Sequence, residues 1–406
     1  MSTRSLDAEE QLSSIMAERI RRECLFVPSA RIGLYLALRH RFSPGNRILI
    51  APTNCETVLF TVLVAGLTPV MAPVSPRNGN IDVPRVDWTG LAGVVSTNLY
   101  GLPDDLARLR AECDRRGLTL IDDAAHAMLT HARLTAVEDR PAGTFGAYGL
   151  FSLSKHARAM GGGFLAVEDP RELPALRRLR DALLIPGGLR RDVLGALRPS
   201  LRETVYATGL VRPLWHLLKA TGVIKWTGHR CDPRPGELRK ALATRVLTRE
   251  AHRSELDAFE PWMSVDTGDW RRRPGPRTLA YLRTRFDVVD RERERRLFGS
   301  RMLQESHFSA AAVWEDRPQP LLRVPLLVAD RDKVVFALER LGVVPGFVYD
   351  PPLDDYAGPT LVHPGPTPEV ARWWTRHVFP VDPLRAGPTL RLLLDIGARP
   401  APDPPS

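Results

Sequence analysis

Along the first part of the chain, short apolar runs that suit buried strands alternate with segments whose apolar residues recur at helical spacing. Arg31–Arg41 places Ile32, Tyr35 and Leu36 on one helix face, although Leu34, Leu36 and Leu38 also alternate with period two. Arg47–Ala51 is an apolar strand stopped by Pro52, and Glu56–Ala65 is a buried helix with Gly66 beyond its end. Pro69–Pro73 and Leu91–Thr97 are further strands. Asp104–Arg116 reads as an amphipathic helix closed by Gly117, and Leu118–Asp122 as the strand after it. Tyr148–Ser152 and Gly163–Val167 complete the pattern. Such alternation predicts an α/β fold: a mainly parallel central sheet with helices on both faces. Ligands of such sheets bind beyond the carboxyl ends of the strands.

The texture changes after Arg171. Leu- and Arg-rich helical patterns dominate, and residues 184–245 read as a helical insertion. Within it, residues 201–224 carry an apolar face. Packing against the rest of the chain is the ordinary use of such a face, and peripheral contact with a membrane surface is the other. Asp266–Pro276 reads as a polar linker. Beyond it come a charged helix over Val288–Glu305, a strand over Leu321–Val328, a helix over Asp330–Leu341 and a strand over Leu390–Leu394. The expected division is a large domain over residues 1–265, a smaller α+β domain over 266–397 and a disordered Pro-rich tail over 398–406.

Composition narrows the function classes. The chain has 406 residues, 44% hydrophobic and 26% charged, which suits a globular protein of two domains. Its net charge of +10 comes from dispersed arginines with no interleaved aromatics, so nucleic acid is not the expected partner. The N-terminal residues are polar and charged rather than a signal peptide, and no apolar run reaches the length of a transmembrane helix. Cys24, Cys55, Cys113 and Cys231 lack metal-site spacing, so no metal is expected and a reduced, cytoplasmic setting is.

Lysine is rare. Among 57 Lys+Arg, the lysines are Lys155, Lys219, Lys225, Lys240 and Lys333. Lys155 stands in Phe151-Ser-Leu-Ser-Lys-His156, just before the run Gly161-Gly162-Gly163. An arginine cannot form a Schiff base, whereas a deprotonated lysine amine can. Upstream, Leu120-Ile-Asp-Asp-Ala-Ala-His126 is an apolar strand ending in acids. A carboxylate and a lysine at the ends of successive strands are what pyridoxal 5′-phosphate (PLP) requires, one for its pyridinium nitrogen and one for its aldehyde.

The order of motifs resembles the PLP-dependent sugar aminotransferases of the DegT/DnrJ/StrS family, within fold type I. Ser29-Ala-Arg-Ile-Gly-Leu-Tyr-Leu-Ala-Leu38 resembles the family's phosphate turn and following helix. Arg47-Ile-Leu-Ile-Ala-Pro-Thr-Asn-Cys55 resembles the strand and loop before the cofactor face. Asn98-Leu-Tyr-Gly101, Ile121-Asp-Asp-Ala-Ala-His126, Gly143-Thr-Phe-Gly146 and Ser154-Lys155 with Gly162-Gly163 follow in the family's order. The resemblance is good over Phe26–Asp169, weaker over Ser254–Gly397 and poor between.

The resemblance implies roles. Lys155 would form the Schiff base and move protons, and Asp123 would pair with the pyridine nitrogen. His126 would line the phenolate side, or simply be a core histidine. Ser29, Ala30 and Arg31 would hold the phosphate at a helix N-terminus, with Ser152 and Ser154 as further candidates. Cys55 would stand on the cofactor face, where the family often has an aromatic ring; Asn98 and Tyr100 would face the substrate or have a buried structural role. The reaction implied is amino transfer from glutamate or glutamine to a keto-sugar nucleotide or related keto intermediate, by a homodimer. The alternatives are a PLP-dependent lyase or dehydratase and a non-catalytic regulatory or partner-binding relative. Dehydratase relatives carry histidine at the lysine position, which Lys155 argues against.

Overall fold

The computed structural model describes residues 3–134, 138–157, 159, 161–188, 192–193, 230–245, 251–264, 270–315, 317–340 and 348–405. The first element is a helix, α1 (Thr3–Ile20), whose Leu12, Met16 and Ile20 recur at four-residue intervals and are buried. Strand β1 (Cys24–Val27) and helix α2 (Ala30–Arg41) follow, then β2 (Arg47–Ile50), α3 (Glu56–Val64) and β3 (Thr68–Met71). Next come β4 (Leu91–Thr97), α4 (Leu106–Arg116) and β5 (Thr119–Asp123). A small antiparallel pair, β6 (His131–Arg133) and β7 (Asp139–Pro141), precedes β8 (Tyr148–Ser152). A four-residue helical turn, α5 (Leu153–His156), leads to β9 (Gly163–Val167) and α6 (Leu173–Leu183).

Seven strands form one sheet in the order β1-β9-β8-β5-β4-β2-β3. Strands β2, β3, β4, β5 and β8 pair in parallel, and β9 runs antiparallel to both of its neighbours. Side chains alternate across the sheet. Ile48, Ile50, Ile121 and Leu150 enter one apolar core with α2 and α3, while Leu49, Leu120 and Phe151 enter the other with α1 and α4. The strands predicted over Leu91–Thr97, Tyr148–Ser152 and Gly163–Val167 occur with those bounds.

A second, smaller layer follows. A 29-residue helix, Pro276–Gln304, starts well before the predicted Val288. Its first half sends Leu279, Leu282, Phe286 and Val289 into the core that α1 and α4 share with the sheet, whereas Leu303 enters a separate apolar core with β10 and β11. The helix therefore spans the two cores. Strands β10 (Val324–Leu327) and β11 (Val378–Val381) pair antiparallel beside it. Leu390–Leu394, expected to be a strand, lies inside the helix Ala386–Asp395 instead: Thr389 and Leu393, four residues apart, are buried while Leu394 is exposed. The Pro-rich tail expected to be disordered lies along β10, with Ala401 N–H donating to the Leu327 carbonyl (3.1 Å) and Ala329 N–H to the Arg399 carbonyl (2.9 Å). Prolines lack an amide donor, so the tail's remaining amides and carbonyls serve the strand edge. The apolar face over residues 201–224, and most of the insertion, lie outside the described residues.

Candidate active site

A cavity of about 330 Å³ opens beyond the carboxyl ends of β4, β5 and β8, at the N-termini of α2 and α3. This is where an open α/β sheet places its ligands. Ser29, Ala30, Arg31, Cys55, Asp123, His126, Ser152 and Lys155, all singled out in the sequence, contribute to its wall. Asn98 and Tyr100 do not.

Asp123 ends β5 on the α2 face of the sheet and accepts the Ala125 N–H at 3.0 Å. Burial raises its pKa to about 6, against a lowering by that hydrogen bond and by the nearby charge of Lys155. Asp122 points to the opposite face. It is completely buried and accepts from Asn98 Nδ2 (2.8 Å), Gly143 N–H (2.7 Å) and Phe145 N–H (3.2 Å). Asn98 also donates to the Asp123 carbonyl (2.9 Å) and accepts from Asp104 N–H (3.2 Å). Its amide is thus engaged within the fold, fixing the ends of β4 and β5. Gly143 has φ +89°, and a Cβ there would meet the Phe151 ring at 2.2 Å, so only glycine brings this amide to Asp122.

His126 is buried at the cavity wall. Its Nδ1 accepts the Tyr100 N–H at 3.3 Å, which leaves the hydrogen of the neutral ring on Nε2. Burial and the charge of Lys155 hold its pKa well below the usual histidine value. The Tyr100 ring lies nearly parallel to the His126 ring on one side and to the Tyr349 ring on the other, with centroids 6.5 and 6.1 Å away. Tyr100 is a spacer behind the wall, while Tyr349, from far along the chain, reaches the cavity itself.

Lys155 sits on the α5 turn, just past the end of β8. The turn begins where β8 ends, with Ser152 Oγ 2.9 Å from Ser154 Oγ. The Leu153 N–H donates to the Gly162 carbonyl (3.0 Å) and the Gly162 N–H to the Pro28 carbonyl (2.7 Å). Gly162 has φ +83°, so the glycine run folds back between the lysine turn and the start of α2.

Ser29 caps α2: its Oγ accepts the Ile32 N–H (3.4 Å) and donates to the Trp270 carbonyl (2.8 Å). Trp270 is a wall residue that the sequence did not reveal. It lies in the stretch expected to be a polar linker, yet Trp270 and Arg271 are buried, with Trp270 Nε1 donating to Glu260 (2.9 Å) and Arg271 Nε to the same carboxylate (2.7 Å). A lone tryptophan among charged residues was the available signal. Asn54, Thr97 and Tyr349 were also missed; Asn54 Nδ2 donates to Thr97 Oγ1 at 2.6 Å. Behind the wall, Arg230 donates to Glu56 (3.1 Å) and to the carbonyls of Tyr349 (2.9 Å) and Pro351 (2.6 Å), clasping α3 to the segment around Tyr349.

Sheet order, cavity position and wall residues define a fold type I, PLP-transferase-like architecture. Residues 9–184 match the model of the DegT/DnrJ/EryC1/StrS aminotransferase family. It is 30% identical over 155 residues to a UDP-N-acetyl-3-dehydro-α-D-glucosamine 3-aminotransferase of Acidithiobacillus ferrooxidans, covering 36% of this chain and 41% of that one. It is 30% identical over 175 residues to the L-glutamine:2-deoxy-scyllo-inosose aminotransferase of Streptomyces kanamyceticus, covering 42% and 39%. The chain thus matches about two fifths of the length of these curated relatives. The crystal structure of DesI in the presence of its TDP-sugar product superposes with a TM-score of 0.62 at 19% identity, over 96% of this chain and 86% of that one. Among the described residues, no group of three or more His, Cys, Asp or Glu could hold a metal, and no helix is long and apolar enough to cross a membrane.

Proposed function

We propose that the chain is a PLP-dependent aminotransferase that moves an amino group, from glutamate or glutamine, to the ketone of a sugar nucleotide or a related keto intermediate. One observation carries this reading: Lys155, Asp123 and the N-terminus of α2 share a single cavity. The cavity's own chemistry fits the cofactor. Its volume suits a small ligand, and a helix start suits a phosphate. The buried carboxylate of Asp123 suits a ring cation, and the ring hydrogen on His126 Nε2 suits a phenolate oxygen.

When bound, PLP supplies an aldehyde for a covalent bond to an amine and a ring that withdraws electrons from the adjacent carbon. Lys155 Nζ would hold that aldehyde and, once released, carry a proton from the α-carbon of the amino donor to the former aldehyde carbon. Asp123, whose charge is poorly solvated, would gain from facing a protonated ring nitrogen and so hold that proton in place. His126 would orient the ring without adding charge. Ser29, Ala30 and Arg31 would anchor the phosphate at the start of α2, with Cys55 against the ring face and Ser152 beside Lys155. The relatives' names support the substrate class: one is an aminotransferase of a UDP-sugar, and the other has L-glutamine in its name. A homodimer in the cytoplasm accords with the family resemblance, and light scattering on the purified protein checks the dimer.

The test is direct. Protein mixed with PLP should show a visible absorbance band that borohydride removes and that glutamate or glutamine discharges. A protein that takes up no PLP would overturn the reading.

A further inference from the structure

Beside the cavity lysine stands a second histidine, His156, which is completely buried and absent from the cavity wall. Its Nε2 lies 2.8 Å from the carbonyl oxygen of His126. A carbonyl oxygen only accepts, so Nε2 carries the hydrogen. Burial, with the positive charge of Arg296 nearby, draws the pKa down to about 3, and the ring stays neutral. Nδ1 is then a bare acceptor, buried, with no hydrogen-bond partner among the described residues. An apolar side chain would fill the same space without a stranded nitrogen, so packing alone does not account for a histidine here.

We propose that His156 is a positioning residue: its hydrogen bond to the His126 carbonyl clamps the turn that carries Lys155 to the turn that carries Asp123 and His126. The proposal rests on the amino-transfer reading of the cavity. The surrounding contacts show what the clamp adds. The Lys155 turn is four residues long, too short to be rigid by itself. Its backbone is tied to Gly162 through the Leu153 N–H and to the long helix through Arg285 Nε, which donates to the Ala157 carbonyl at 2.8 Å. The first tie leads to the glycine run and the second to the first half of the long helix. The acid-bearing turn is tied to β8 by the Ala124 N–H, which donates to the Leu150 carbonyl (2.9 Å), and to the Tyr100 N–H through His126 Nδ1. His156 reaches from one turn to the other. Because its ring is neutral, it does so without placing a charge beside the lysine amine. A misplacement of about 1 Å in a reacting group slows a reaction by about a hundredfold, so such a tie bears on rate more than on binding.

Two variants of the full chain test this. His156→Met fills the space without a donor, and His156→Gln keeps an N–H donor. The readouts are the rate at which PLP becomes reducible by borohydride onto Lys155, followed by peptide mass, and kcat and KM for glutamate. With circular dichroism unchanged, His156→Met should slow attachment and kcat about tenfold or more at near-constant KM, and His156→Gln should recover most of the loss. Should the methionine variant fail to fold, His156→Asn, whose amide is too short to reach the carbonyl, replaces it. In the wild-type protein without cofactor, nitrogen NMR should find the hydrogen of His156 on Nε2. Wild-type rates in His156→Met, a glutamine variant as slow as the methionine one, or a hydrogen on Nδ1 would each overturn the proposal. If the wild-type protein takes up no PLP, the reading of the cavity fails, and the NMR measurement still decides whether the clamp exists.

Discussion

Asp122 and Asp123 are neighbours in sequence and opposites in environment. The Asp122 carboxylate accepts one side-chain and two backbone N–H groups on one face of β5, while Asp123 opens into the cavity on the other. Strand alternation produces this separation, because successive side chains leave a sheet on opposite faces. One acid thereby holds the architecture together and its neighbour faces the cavity.

Asp122→Ala should therefore act on stability. It strands the Gly143 and Phe145 amides and the Asn98 side chain. At about 1–3 kcal/mol for each buried unsatisfied group, a loss of at least 3 kcal/mol is expected in chemical denaturation. The fraction that remains folded should still bind PLP.

Asp123→Asn should act on rate and have the opposite effect on stability. Turnover is expected to fall about a hundredfold or more, since the buried charge facing the ring is gone. Burial raises the Asp123 pKa from 3.8 to about 6, so protonation favours the folded state. The stability this group contributes is complete below its unfolded value of 3.8 and is lost as pH rises through about 6. At about pH 8 the cofactor-free asparagine variant should therefore be more stable than wild type, by up to about 3 kcal/mol, with the difference vanishing in acid. Denaturation curves at the two pH values check the sign.

Lys155→Ala should abolish the visible band formed with PLP and any borohydride-stable attachment. Lys155→Arg should fail in the same way while keeping the positive charge, because a guanidinium stays protonated and does not attack an aldehyde. Absorbance spectra of the two variants check this.

Arg230→Met should loosen the clasp between α3 and the segment around Tyr349. The Arg230 and Glu56 side chains are both largely buried and 3.1 Å apart. Removing one partner of such a pair costs about 3–5 kcal/mol, since the remaining charge stays desolvated. Thermal denaturation at low and high salt should show a loss that salt barely changes.

The sheet strands and the first helices were legible in the sequence because their apolar periods are strong and their ends are marked. Gly117 closes α4 with φ +67°, and Pro52 follows β2. The C-terminal elements were less legible. The leucines of Leu390–Leu394 suit a strand as well as a helix, and the contacts that bury Thr389 and Leu393 come from distant segments. The Pro276 end of the long helix was hidden for the same reason, since its apolar residues answer to α1 and the sheet rather than to near neighbours.

By itself, the sequence determined the chemistry available here: a lysine among arginines, an acid pair at a strand end, a glycine run and a capped helix start, each written in consecutive residues. Tertiary structure decided which of these groups meet. It separated Asp122 from Asp123, set Asn98 and Tyr100 behind the wall, and brought Trp270 and Tyr349 onto it from segments far along the chain. Local pattern specifies what a side chain can do, but its neighbours are fixed by packing between elements that no short stretch of sequence contains.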